Sequence, residues 1–160
     1  MKSNKSTYIY VILGIVVLAG LFIYPRFKKE GGGTSGFGSD VPCLLPNASI
    51  VQHTHQQLTI TVDDKSETVP GDIGLTGCHR AIHTHDGTGE IHVEAQDKRD
   101  YTLGDFFKVW GKTIEREGYD LEMNVDGLPV SFELRESLVL KDKQQIILNY
   151  TKKVADKTDL

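Results

Sequence analysis

The chain has 160 residues; a charge-free run at 8 to 24 and a glycine-rich stretch at 31 to 39 stand apart by composition and leave about 120 to fold. That suffices for one domain with a real core and is about half of what a (β/α)8 barrel requires, so large metallohydrolase scaffolds are excluded. Charge is unevenly divided: residues 1–30 hold five lysines and arginines against Glu30, whereas residues 31–160 carry 13 basic and 21 acidic side chains, a net of −8. A domain of that sign repels phosphate backbones, and no basic patch interleaved with aromatics offsets the repulsion, so nucleic acid is not expected as a partner.

Tyr8 to Tyr24 runs YIYVILGIVVLAGLFIY, seventeen residues bounded by tyrosines and flanked on both sides by basic residues. These are features of a single-pass membrane anchor. The competing reading, a cleaved signal-peptide core, is opposed by Leu18-Ala19-Gly20, a poor cleavage site followed by bulky residues. The expected organisation is an N-terminal anchor at 1–30, a flexible Gly/Ser-rich linker at 31–40, an extracytoplasmic domain at 41–151 and a polar tail at 152–160. The flanking charges do not orient the anchor, but the cysteines do. Cys43 and Cys78 form an even pair in a small anchored domain, which reads most simply as one disulfide outside the cytoplasm. The alternative is two free thiols, with Cys78 a soft metal ligand beside His79.

All six histidines lie between His53 and His92, namely His53, His55, His79, His83, His85 and His92. In the first segment Leu58, Ile60 and Val62 alternate with His53, His55, Gln57, Thr59 and Thr61. Period two predicts a strand whose apolar face joins the core and whose opposite face carries both histidines. The second segment, Ile82 to Glu94, has Asp86-Gly-Thr-Gly89 between two β-rich arms and predicts a hairpin. Pairing about Gly87-Thr88 sets His83 opposite His92, His85 opposite Glu90, Thr84 opposite Ile91 and Ile82 opposite Val93. One face then carries His83, His85, Glu90 and His92. Imidazoles at this density favour a divalent ion, Zn²⁺ or Cu²⁺, since neutral nitrogens bind it at about 2.0 to 2.1 Å. Protonated, they would repel one another. The expected ligands are His53, His55, His83 and His85, with His92 the additional one, and Asp86, Glu90 and Glu94 are candidate outer acceptors that fix ring tautomers.

Further along, Thr102 and Asp105 predict a capped helix with an apolar stripe at Leu103, Phe106, Phe107, Trp110 and Ile114, Gly118 as its stop and Gly111 as a mild fault within it. That stripe suits the apolar face of a sheet. Leu121 to Val125, Leu128 to Leu134 and Gln145 to Tyr150 alternate as strands, with a turn at Asp126-Gly127. The expected class is α+β, a β-rich single domain with one covering helix. Its order of hairpin, helix and strands suits a β-grasp arrangement, with the strand around Leu58 added at an edge or over a face.

Gly77, His83-Thr-His85 and Glu90 resemble the first cupin motif, which implies a metal held by those two histidines and the glutamate. The resemblance stops there: Asp97 stands where that motif ends in glycine, and no histidine follows His92. His83-Thr-His85-Asp86 is also similar to the His-x-His of amidohydrolases, whose barrel the length excludes. The run from His53 to Gly111, with His-x-His at His53 to His55, IHTHD at Ile82 to Asp86, G-x-IHVE at Gly89 to Glu94 and TLG-x-FF-x-x-WG at Thr102 to Gly111, resembles a family of uncharacterised membrane-anchored extracytoplasmic microbial proteins. The resemblance implies the compartment and carries no activity.

The expected function is that of a membrane-anchored extracytoplasmic metal-binding protein, a non-catalytic carrier, sensor or assembly factor. Two alternatives remain open. One is a small metal-dependent hydrolase or oxidase with Glu90 or Asp86 as base. The other is an interaction module of a membrane protein complex, with structural histidines.

Overall fold

A computed structural model describes residues 40–154; the expected anchor at 8–24, the linker at 31–39 and the tail from 155 lie outside the described residues. Among the described residues, no helix is long and apolar enough to cross a membrane. The domain is α+β and β-rich, a mixed sheet with one α-helix. Its strands are β1 (Gln52–Val62), β2 (Lys65–Glu67), β3 (Ile82–His83), β4 (Glu90–Ala95), β5 (Tyr119–Val125), β6 (Leu128–Pro129) and β7 (Gln145–Lys152), and the helix is α1 (Leu103–Trp110). They lie in the order β3-β4-β1-β7-β5-β6, with β2 also paired to β1.

The expected position of the strand around Leu58 is overturned. β1 is central, because it is long enough to serve two sets of partners. Its first half, Gln52 to Gln57, pairs antiparallel with β4, and its second half, Gln57 to Val62, pairs parallel with β7. At its end Asp63 and Asp64 both adopt positive φ, 47° and 62°, which turns the chain back into β2. The histidine-bearing pair β3 and β4 is the edge addition.

Leu58, Ile60, Ile82, Ile91, Val93, Ile146 and Leu148 are buried on the face that α1 covers through Leu103, Phe106 and Phe107. The helix starts as the sequence predicts. Asp105 N–H donates to Thr102 Oγ1 and Thr102 N–H to Asp105 Oδ2, both at 3.1 Å. It ends earlier than predicted. Gly111 is the left-handed C-cap, φ 75°, with its N–H on Lys108 O, so the residue expected as a fault is the stop. Ile114 is buried from the segment beyond. The expected strand at Leu128 to Leu134 also shortens to two residues, and Phe132 to Leu134 form a 3₁₀ turn.

Candidate metal centre

The two histidine segments meet because β4 lies between β3 and β1. His92 of β4 is directly opposite His55 of β1 on one side and His83 of β3 on the other, and His53 is opposite Glu94. Side chains alternate along a strand, so this register puts His83, His92 and His55 in one row on one face. Ring centroids are 4.6 Å apart for His55 and His92, 5.4 Å for His83 and His92, and 4.6 Å for His85 and His92. Of the five expected ligands, His92 stands in the middle, grouped with His53 and His55 on one side and with His83 and His85 on the other, and no single group holds all five.

The hairpin itself is shorter than expected. Ile82 pairs with Val93 and His83 with His92, but Thr84 does not continue the ladder to Ile91 and His85 does not pair with Glu90. Thr84 N–H instead donates to Ile73 O and its Oγ1 to Pro70 O, which draws the arm under the 70–73 segment. β4 finds its second partner in β1, and Leu58 N–H reaches Gly89 O at 2.9 Å.

His83 is fully buried. Its Nδ1 lies 3.0 Å from Arg80 O. A carbonyl only accepts, so Nδ1 carries the proton and Nε2 presents a lone pair. That Nε2 is 3.2 Å from His85 Nε2 and 3.3 Å from His79 Nε2. Two ligand nitrogens about 2.05 Å from a tetrahedral ion are separated by about 3.3 Å, so the His83 and His85 pair is already at ligand spacing. Burial pushes the His83 imidazole down to about 4, against the pull of the Arg80 carbonyl. His92 is also held below the ordinary imidazole range, first by burial and then by its neighbours His85 and His55. Near neutral pH both rings are uncharged, the form that binds metal.

His92 Nε2 is 2.9 Å from the Glu90 carboxylate. An acceptor there holds the proton on Nε2 and leaves Nδ1 with a lone pair. Nδ1 is buried and has no hydrogen-bond partner among the described residues. A buried nitrogen without a partner is costly unless something else binds it. Glu94 lies 3.3 Å from His53 Nε2. Asp86 has a different role from the one expected: its Oδ1 accepts from Thr88 N–H at 2.9 Å and from Thr88 Oγ1, closing the turn, and those contacts lower its carboxyl.

His83, His85, His92 and Glu94 offer donor atoms within 4.8 Å of one another, as do His53, His55 and His92. The histidine group can therefore hold a metal ion. Two participants were not legible as such in the sequence. His79 sits beside His83 because Cys78 is bridged to Cys43, with Cα atoms 5.8 Å apart, and because Cys43 and Arg80 form a β-bridge. The adjacency of His79 to Cys78 was the available signal. Asp142 arrives from the turn before β7, its Oδ1 accepting from His55 N–H at 3.0 Å and lying 3.8 Å from His55 Nδ1. It lines, with His55, Glu90 and Lys143, an open cleft of about 420 Å³ next to the cluster. In comparisons with known proteins, no family model, no curated protein and no solved structure matches the chain.

Proposed function

We propose that this chain is a membrane-anchored extracytoplasmic protein that binds Zn²⁺ or Cu²⁺ through His53, His55, His83, His85 and His92, and that it works as a carrier, sensor or assembly factor rather than as a catalyst. The observation that carries the reading is that His83, His85, His92 and Glu94 offer donor atoms within 4.8 Å of one another, with His83 Nε2 and His85 Nε2 3.2 Å apart. Nitrogen donors with a carboxylate suit these borderline ions, and no thiolate is available because both cysteines are bridged. The anchor rests on the composition of Tyr8 to Tyr24, and the compartment on the disulfide and on the family resemblance.

The order β2-β1-β7-β5-β6, with α1 in the connection between the parallel strands, supports a β-grasp reading. On that reading β3 and β4 are an added hairpin that supplies the metal face, and the scaffold alone carries no function. Glu90 is tied to His92 Nε2, which suits a ring-orienting role better than that of a catalytic base. The test is elemental analysis of the full-length, detergent-solubilised chain, without a histidine tag, after exposure to Zn²⁺ and to Cu²⁺. Stoichiometric metal that falls in His85→Ala is expected. Absence of metal under replete conditions would overturn the proposal.

A further inference from the structure

We infer that the cluster passes a single ion between two alternate ligand sets that share His92, a resting set around the β3–β4 hairpin and a transfer set that reaches β1; this rests on the metal-binding reading above. The resting set is His83, His85, His92 and Glu94, and the transfer set is His53, His55 and His92, with the donor atoms of each set within 4.8 Å of one another. The His92 ring stands between them, its centroid 4.6 Å from that of His85 and 4.6 Å from that of His55. Glu90 holds its Nε2, so His92 has one nitrogen to give and completes one set at a time. With His92 in the resting set, only His53 and His55 stand outside it, too few for a second ion. The sets are therefore alternatives for the same ion.

They differ in how firmly they hold it. The resting set supplies three imidazoles and a carboxylate, a complete tetrahedral shell. His83 is fully buried there, oriented by Arg80 O and with Nε2 3.2 Å from His85 Nε2. The transfer set supplies three imidazoles and leaves a position open. An open position speeds exchange, because an incoming donor binds before an outgoing one has left. The His53 and His55 side chains are 52% and 40% exposed, and His55 lines the cleft, where Glu90 and Asp142 outnumber Lys143 and attract a cation.

The two positions are adjacent. His53 is opposite Glu94 in the β1–β4 register, and its Nε2 is 3.3 Å from Glu94 Oε1. In the transfer the bonds from the ion to His83, His85 and Glu94 break as those to His53 and His55 form, and His92 belongs to both shells. The ion is neither oxidised nor reduced.

The experiment uses the full-length, detergent-solubilised, tag-free chain loaded with Zn²⁺. Equilibrium dialysis gives stoichiometry and affinity, and stopped-flow mixing with a chromophoric pyridylazo chelator gives the rate at which the ion leaves. One ion per chain is expected. His53→Gln, which keeps a hydrogen-bond donor for Glu94, and His55→Ala alter partly exposed side chains, so the fold is not at stake. Each should leave the affinity within about threefold and slow transfer to the chelator at least about tenfold, and the double variant should be no slower than either, because both act through one set. His85→Ala acts on the resting set and should weaken affinity at least about tenfold while quickening release. Two ions in the unaltered chain, or unchanged transfer rates in both β1 variants, would overturn the alternating sets and leave the metal-binding reading standing. An affinity that falls as far in His53→Gln as in His85→Ala would do the same, since both side chains would then hold the ion at once. No ion in the unaltered chain would overturn both readings.

Discussion

Lowering the pH of the metal-free domain should destabilise it well before its carboxylates titrate, because His83 is folded in its neutral form. An unfolded chain binds a proton on this imidazole near pH 6.5, whereas burial and the neighbouring rings hold the folded value at about 4. Above pH 6.5 neither state is protonated and the group contributes nothing to the pH dependence. As pH falls from 6.5 toward 4 the unfolded chain gains a proton that the folded chain excludes, so stability declines with falling pH. At about 1.4 kcal/mol per tenfold change in proton activity, the full decline across this window is about 3 kcal/mol. His92 is shifted the same way and steepens the loss. The lowered carboxyls of Glu67 and Glu133 contribute stability that is lost only at more acid pH, as it falls through their folded values. Urea denaturation of the chelator-treated protein at a series of pH values from 7.5 to 4.5 measures the slope, and the imidazole C–H resonances measured by NMR report His83 directly. A stability that is flat from pH 7 to 5, or a His83 resonance that titrates near 6.5, would refute the assignment of a buried neutral imidazole.

Two further outcomes test what positions the cluster. Gly89 has φ 84°, and a Cβ there would lie 2.2 Å from Leu58 O, so Gly89→Ala should cost at least about 2 kcal/mol in denaturation midpoint and free energy; an unchanged midpoint would show that the turn does not fix β4 against β1. Replacing both Cys43 and Cys78 by Ser opens a loop of sequence separation 35 and should lower stability by about 4 kcal/mol, read in the same assay against the oxidised chain. Equal stabilities would mean that the bridge does not constrain the segment carrying His79.

Alternation of Leu58 and Ile60 with His53 and His55 was enough to assign β1 and its two faces, because side-chain direction in a strand follows residue parity alone. The same local rule set His83 opposite His92, and capping chemistry located the start of α1 at Thr102. What parity cannot state is the partner. Nothing within residues 52 to 62 says that their first half pairs with β4 and their second half with β7, and the placement of β1 as an addition at an edge or over a face failed for that reason.

The amino-acid sequence by itself determined which residues are imidazoles, which face of each strand carries them and where two cysteines stand to be joined, because these depend on composition and on short-range backbone geometry. Only the tertiary structure decided that His55 flanks His92 on the side away from His83, that His83 is stripped of water, that His79 and Asp142 border the cluster and that its donors divide into two groups. Those outcomes depend on long-range strand pairing and on the disulfide, which join segments distant in the chain and set distances that local propensity does not encode.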